Sequence, residues 1–224
     1  MEIIYEDNHL LLVNKPRNMP VQEDNSRDLD LLTALKDMIK IRDQKPGNVY
    51  LALVHRLDRP VGGLMVFAKT SKAASRLSKV LRQKQMKRTY LAVVNGQPNS
   101  DQGQLVDYLW KDRQKNIVHV VDPSHPGAKK AILNYRVIDK IADHSLVQVS
   151  LETGRSHQIR VQLQHMGHPI YGDQKYGLDH SKVGQQLALW SYQLAFPHPT
   201  RQEIVNFQCM PVQEEPWTWF SQLK

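Results

Sequence analysis

The 224-residue chain is poor in cysteine: Cys209 is the only one. That excludes an internal disulfide framework and any zinc site built from several cysteines, and it suits a reducing compartment. Long hydrophobic runs are also missing. Nowhere do about 18 apolar residues follow one another, so the sequence offers no bilayer-spanning helix. The opening residues, Met1 to Asp7, have neither the basic stretch nor the apolar stretch of a secretory signal. The expectation is a soluble, cytoplasmic protein. Acidic residues are scarce relative to basic ones, 22 against 30, which leaves a formal charge of +8 and an isoelectric point near 9.5. A positive excess suits a polyanionic partner, either nucleic acid or an anionic membrane surface.

Cofactor signatures are lacking too. Neither a Walker pattern nor a Gly-x-Gly-x-x-Gly fingerprint occurs, so nucleotide cofactors find no support. His157, His165 and His168 have no recognised zinc spacing and no cysteine nearby, so no metal site is expected. What is present is enough apolar material for a core, 41% of residues, under a skin that is 23% charged. That balance rules out a disordered, collagen-like or membrane-embedded chain.

Short strands are expected at 3–5 and 10–13, separated by the turn-like Glu6-Asp7-Asn8-His9. A helix follows over 29–41, with Leu29, Leu32, Leu35 and Ile39 on its apolar side. Residues 49–54 and 63–68 read as buried strands. Ser71 stands where an N-cap belongs, ahead of Ala74, Leu77 and Leu81 on one helical face. The strand 87–94 closes at Asn95-Gly96, and the polar stretch 97–114 is the one plausible internal boundary, read as a loop across one sheet. Further strands are expected at 116–121, 131–138, 146–151, 187–196 and 204–207. A short helix over 156–166 has Gly167 as the residue beyond its C-cap, and 217–223 can close as a helix. Many strands with few helices make an α+β domain around a large, mostly antiparallel sheet, with 1–224 as a single domain.

Three segments carry candidate chemistry. In His55-Arg56-Leu57-Asp58-Arg59-Pro60-Val61-Gly62-Gly63, a carboxylate sits between two arginines at the end of an apolar strand. The cations favour an anion there, and tandem glycines allow a sharp turn or a close ligand approach. In Glu152-Thr153-Gly154-Arg155-Ser156-His157-Gln158-Ile159-Arg160, a turn leads into a helix whose N-terminus can cradle phosphate or carboxylate. In Lys87-Arg88-Thr89-Tyr90, basic residues precede a strand tyrosine, as suits phosphate contacts beside a base-stacking platform. Taken singly, each has an ordinary structural reading: a surface ion pair, a solvated first turn, a core tyrosine.

Together, in order and over most of the chain, these blocks resemble the RluA family of RNA pseudouridine synthases. The opening block is Tyr5 to Lys15-Pro16 with Pro20-Val21. The signature block with the nucleophilic aspartate is His55-Arg56-Leu57-Asp58. Lys87-Arg88-Thr89-Tyr90 is the third, and 153–160 the last, continuing through Gly167-His168-Pro169 to Gly172-Asp173. Some positions depart from the pattern. Val61-Gly62 stand for the usual Thr-Ser, Asn18 for a glycine, and Trp190 for a frequent histidine. The matching blocks begin at once, as in short family members without an S4 domain.

The resemblance implies a pseudouridine-synthase-like domain with an active-site cleft across a mixed, mostly antiparallel sheet flanked by helices and loops. It implies isomerisation of uridines in ribosomal or transfer RNA, with base flipping, no cofactor and a monomeric enzyme. Asp58 would be the essential carboxylate, either attacking the sugar or first removing a proton to form a glycal. Arg160 would pair with it, and Tyr90 would stack on the uracil. Arg56 would fill the space vacated in the RNA stack, while Lys15, Lys87, Arg88 and Arg155 would contact the RNA backbone. A binding module that has lost its chemistry, keeping RNA as partner, is the alternative.

Overall fold

The computed structural model describes residues 2–223. In chain order the elements are β1 (Glu2–Glu6), β2 (Leu10–Lys15), α1 (Leu31–Arg42), β3 (Ala52–Leu53), β4 (Gly62–Ala68), α2 (Ser71–Arg82), β5 (Lys87–Asn95), β6 (Gln102–Asp112), β7 (Ile117–Val120), β8 (Lys129–Ile141), β9 (His144–Leu151), α3 (Gln158–His165), β10 (Leu189–Pro197) and β11 (Ile204–Gln208). The architecture is α+β. Two compact units divide it: Met1–Met86 with Ser191–Cys209, and Lys87–Trp190 with Met210–Lys224. The reading of 97–114 as a loop is corrected. That stretch holds β6, an eleven-residue strand inside the second unit, and its polarity reflects exposure on alternate residues.

In the first unit the strands run in the order β1, β2, β4, β10, β11, with β3 also against β4. β2 pairs antiparallel with β4, Leu12 opposite Val66 and Lys15 opposite Gly63. Leu10 to Val13 and Leu64 to Ala68 are fully buried, so both strands read as continuous apolar runs rather than alternating ones. Gly63 has φ +106°, and a Cβ there would lie 2.3 Å from the Ser191 carbonyl oxygen, so the second glycine of the pair serves close backbone packing. Helix α1 is N-capped by Asp30, which accepts from the Thr33 N–H at 3.0 Å. It buries Leu31, Leu35 and Ile39, a stripe at i, i+4, i+8, each contributing about 1.5–3 kcal/mol. Leu29, placed in the apolar stripe by spacing, precedes the cap and is 61% exposed. Thr70, not Ser71, caps α2 through the Ala73 N–H.

In the second unit the order is β5, β9, β8, β6, β7, and every register among them is antiparallel. Helix α3 packs Val161 into a cluster with Leu109, Val118, Ala131 and Tyr176. Its N-cap is His157 in a left-handed conformation (φ 51°) without a side-chain cap, so Ser156, where the helix was expected to begin, lies before it. Gly167, at φ +89°, does follow the C-cap Met166. The closing segment forms two short 3-10 turns, Trp217–Trp219 and Ser221–Leu223, in place of one helix. Among the described residues no helix is long and apolar enough to cross a membrane.

Candidate active site

The Asp58 loop belongs to the first unit. His55 and Leu57 turn inward and Arg56 outward, which leaves Asp58 half-buried between them. His55 holds the loop to β4 by accepting, through Nε2, from the Val66 N–H at 3.3 Å. The turn closes where the Val61 N–H donates to the Asp58 carbonyl at 3.0 Å. Beneath it lies Lys15, at the end of β2, with no solvent exposure. Its Nζ donates to the carbonyls of Pro16 (2.8 Å), Arg59 (3.0 Å) and Val61 (2.7 Å), two of which belong to the loop.

Burial draws the Lys15 ammonium down from the usual lysine range to about 7; the Asp58 charge acts in the opposite sense, and Arg59 adds to the fall. The expected role of Lys15 is therefore corrected. A buried amine whose three donors are engaged by main-chain oxygens cannot contact a phosphate; it is a clamp under the loop. Arg59 is drawn the other way, donating to the Asn18 carbonyl (3.1 Å), the Ser26 hydroxyl (3.0 Å) and the Asp28 carboxylate. It ties the segment before α1 to the loop. Asn18 itself is left-handed (φ 63°), as its place in a glycine position requires.

The other candidates belong to the second unit. Tyr90 sits on β5 opposite Val149 and is 5% exposed. Lys87 and Arg155 are exposed, and Arg88 is half-buried. Arg88 packs on Gly154, where a Cβ would come within 2.6 Å of Nη1, so the turn needs glycine to receive the guanidinium. The turn is braced from β8. Thr153 Oγ1 accepts from the Ile132 N–H (2.8 Å), and the Arg155 Nε donates to the Lys130 carbonyl (3.1 Å). Gln158 Oε1 accepts from Arg155 N–H (2.9 Å), which folds the entry to α3 back on itself.

Arg160 lies on α3 and is 6% exposed. Its Nε and Nη2 donate to the two oxygens of Asp173 at 2.8 and 2.7 Å, a fork-to-fork pair, and its guanidinium carbon stands 5.0 Å from the centre of the Tyr176 ring. The fully buried Asp173 also accepts from the N–H groups of Lys175 (2.9 Å) and Tyr176 (3.1 Å). The Tyr176 hydroxyl accepts from the Val118 N–H (2.9 Å) and shares a 2.6 Å hydrogen bond with His157 Nδ1. Sequence reasoning placed Asp173 in a family block without a role and passed over Tyr176. The available signal was a carboxylate and a tyrosine three apart behind Gly172.

Asp173→Asn should be costly, because it leaves a buried guanidinium without its counter-charge. A loss of about 3 kcal/mol is expected, at the low end for a broken buried pair since the amide oxygen can still accept. Urea unfolding of the two proteins checks it, and an unchanged midpoint would contradict the pairing.

Residues 9–165 match the family described as RNA pseudouridylate synthase. An uncharacterized RNA pseudouridine synthase of Synechocystis is 36% identical over 219 residues, covering 92% of this chain and 64% of that protein. The ribosomal large subunit pseudouridine synthase C of Vibrio cholerae is 33% identical, with 90% and 62% covered. The chain thus spans somewhat under two thirds of the length of these relatives. An uncharacterized RNA pseudouridine synthase of Bacillus subtilis is 34% identical over 92% of this chain and 67% of its own length. Among solved structures, human RNA pseudouridylate synthase domain containing 4 shares the fold, with a TM-score of 0.80, 24% identity, and 95% and 89% covered. With the model matched over 9–165 and a relative one third identical over two thirds of its length, this chain belongs to the RNA pseudouridylate synthase family.

Proposed function

We propose that this chain isomerises uridines within RNA to pseudouridine. The names of several relatives, ribosomal large subunit pseudouridine synthases, favour ribosomal RNA, with transfer RNA as the other substrate to be tested. In this reaction the C1′–N1 bond of uridine breaks and a C1′–C5 bond forms. The C5 hydrogen leaves as a proton and N1 gains one, so atoms and electrons balance without redox partner or energy donor. A stacked base cannot be reached, so the target uridine leaves the helix at a cost of a few kcal/mol.

In this reading Asp58 is the essential carboxylate, and its loop is kept in shape by the Lys15 clamp. Attack on C1′ and proton removal toward a glycal both begin with its anion. Tyr90 stacks on the uracil, and Arg160, its plane fixed by Asp173 and Tyr176, is the arginine that the resemblance assigns as partner to the aspartate. Arg56, turned outward on the loop, fills the gap in the RNA stack, while Lys87, Arg88 and Arg155 hold phosphates and set register without reading sequence. The observation that carries the reading is a half-buried aspartate within the family's matched region, on a loop whose main chain is pinned from below by a buried ammonium.

The test is tritium release from RNA containing 5-tritiated uridine, together with the mass of the product. Tritium should appear in solvent while RNA mass is otherwise unchanged, and digestion should yield pseudouridine. Free uracil and abasic sites would instead indicate a hydrolytic glycosidase. RNA bound but never modified would indicate a silent binding module.

A further inference from the structure

Helix α2 carries a charge pattern that the reaction leaves unused. From Lys69 to Lys84 the chain has six cations (Lys69, Lys72, Arg76, Lys79, Arg82, Lys84), and no Asp or Glu occurs between Ala68 and Asp101. Ala73 and Leu77 are fully buried. Lys72, Arg76 and Lys79 fall at i, i+4 and i+7 on the opposite, exposed side, with Arg82 one turn on. The stripe from Lys72 to Lys79 spans about 10 Å at 1.5 Å per residue.

Several other cations of this unit have acidic partners: Arg42 with Glu6 and Asp43, Arg59 with Asp28, Lys69 with Glu6, Arg201 with Asp7 and Glu203. Among the described residues Lys72, Lys79 and Arg82 have none. Instead they face like charges at three- and four-residue spacing, an arrangement that weakens a helix. The first turn holds no acid and does hold Lys72, where the helix dipole disfavours a cation. Lys79 and Arg82 stand in the last turn, where the dipole favours them, so the unfavourable effects are Lys72 in the first turn and the like-charge spacings, and a polyanion lying along the stripe would reverse both.

We propose that the exposed face of α2 is a docking surface for the phosphate backbone of structured RNA, in addition to the stretch that carries the target uridine. The proposal rests on the RNA partner of the preceding section, but not on which residues perform the chemistry. An anionic membrane is the less fitting partner. Surface-seeking helices bury an apolar face among lipid chains, whereas the apolar face of α2 is packed within its own unit.

The test replaces three cations by neutral helix formers, Lys72→Gln, Lys79→Gln and Arg82→Gln together. Arg76 is left in place because it also donates to the Pro199 carbonyl. Affinity for a long, folded ribosomal RNA fragment is measured from 50 to 200 mM salt for both proteins. Releasing about 0.9 counterions per phosphate contact, three lost contacts should reduce the salt-dependent fall in affinity by about 40-fold over that range. The variant should melt close to the parent, because the like-charge pairs it removes offset the last-turn cations it loses at Lys79 and Arg82. Turnover on a short hairpin substrate should stay unchanged.

An unchanged salt slope with an unchanged melt would overturn the proposal. So would loss of binding to vesicles containing anionic lipid with no change toward RNA, which would assign the face to a membrane. A parent protein that shows no salt-dependent RNA binding would refute the RNA reading itself, and thereby separates the two failures.

Discussion

Asp58→Ala is expected to abolish tritium release from 5-tritiated uridine in RNA and to leave the fold intact. The side chain is half-buried at a loop, and the loop's closing hydrogen bond uses its main-chain carbonyl, not its carboxylate. Truncation at Asp58 keeps the three main-chain oxygens that Lys15 donates to and removes only the carboxylate charge acting on its ammonium. Stability should therefore change by no more than about 1 kcal/mol, the scale of an ordinary substitution outside the core. Catalysis should vanish, because both available routes start from that carboxylate. Circular dichroism and a thermal melt monitor the first part, and the tritium assay the second. Turnover at the parent rate by a well-folded variant would remove Asp58 from the mechanism.

Lys15→Met is expected to separate stability from activity. Methionine relieves the desolvation of a buried ammonium, but it also strands three carbonyl oxygens, each costing about 1–3 kcal/mol if left without a donor. The two effects oppose each other at neutral pH, so the protein should remain folded. The loop loses both of its own anchors, at Arg59 and Val61, and an aspartate misplaced by about 1 Å costs on the order of 10²-fold in turnover.

The pH profile gives an independent reading of the same residue. In the folded chain Lys15 releases its proton near pH 7, against 10.5 ordinarily. Between those values the unfolded chain binds the proton that the folded chain has lost, so raising the pH favours the folded state. The slope is at most about 1.4 kcal/mol per pH unit. Below pH 7 both states are protonated and the contribution is flat. Urea titrations from pH 7 to 10 should show this rise in the parent and its absence in Lys15→Met. Parallel profiles would mean that Lys15 keeps its proton throughout, and turnover at parental level would mean that the loop does not need the clamp.

Sequence periodicity located the elements whose two sides differ. Helix α1 begins two residues after its expected start and ends one residue beyond its expected end, its face marked by Leu35 and Ile39; in α2 Leu77 was read correctly, but its buried companion is Ala73 rather than the expected Ala74 and Leu81. Strands β2 and β5 were legible from unbroken apolar runs. Strand β6 was not, since its outward residues Gln102, Gln104 and Val106 are exposed and the segment reads as a polar loop. Local hydrogen-bonding chemistry put the caps one residue off. Thr70 reaches the Ala73 N–H as Ser71 was expected to do, and His157 enters α3 left-handed with no cap at all.

At the candidate site the motif blocks identified which residues to examine but not their environments. Lys15 looks like any lysine before a proline until the fold shows three main-chain oxygens around its amine. Asp173 reveals its hold on Arg160 only when a thirteen-residue separation closes into a hydrogen-bonded fork. Both are long-range facts, and spacing along a chain cannot encode them.

The first compact unit draws on two distant stretches, Met1–Met86 and Ser191–Cys209. During synthesis its opening eighty-six residues emerge well before the strand that must lie beside β4. At roughly 5–20 residues per second, the intervening chain takes on the order of ten seconds to leave the ribosome. Throughout that interval β4, buried along its whole length in the finished protein, has an open edge and a wholly apolar sequence. Nascent chains of this protein are therefore expected to engage chaperones through Leu64 to Val66, the part of β4 that β3 does not cover, and to release them once Ser191 and its neighbours have been translated.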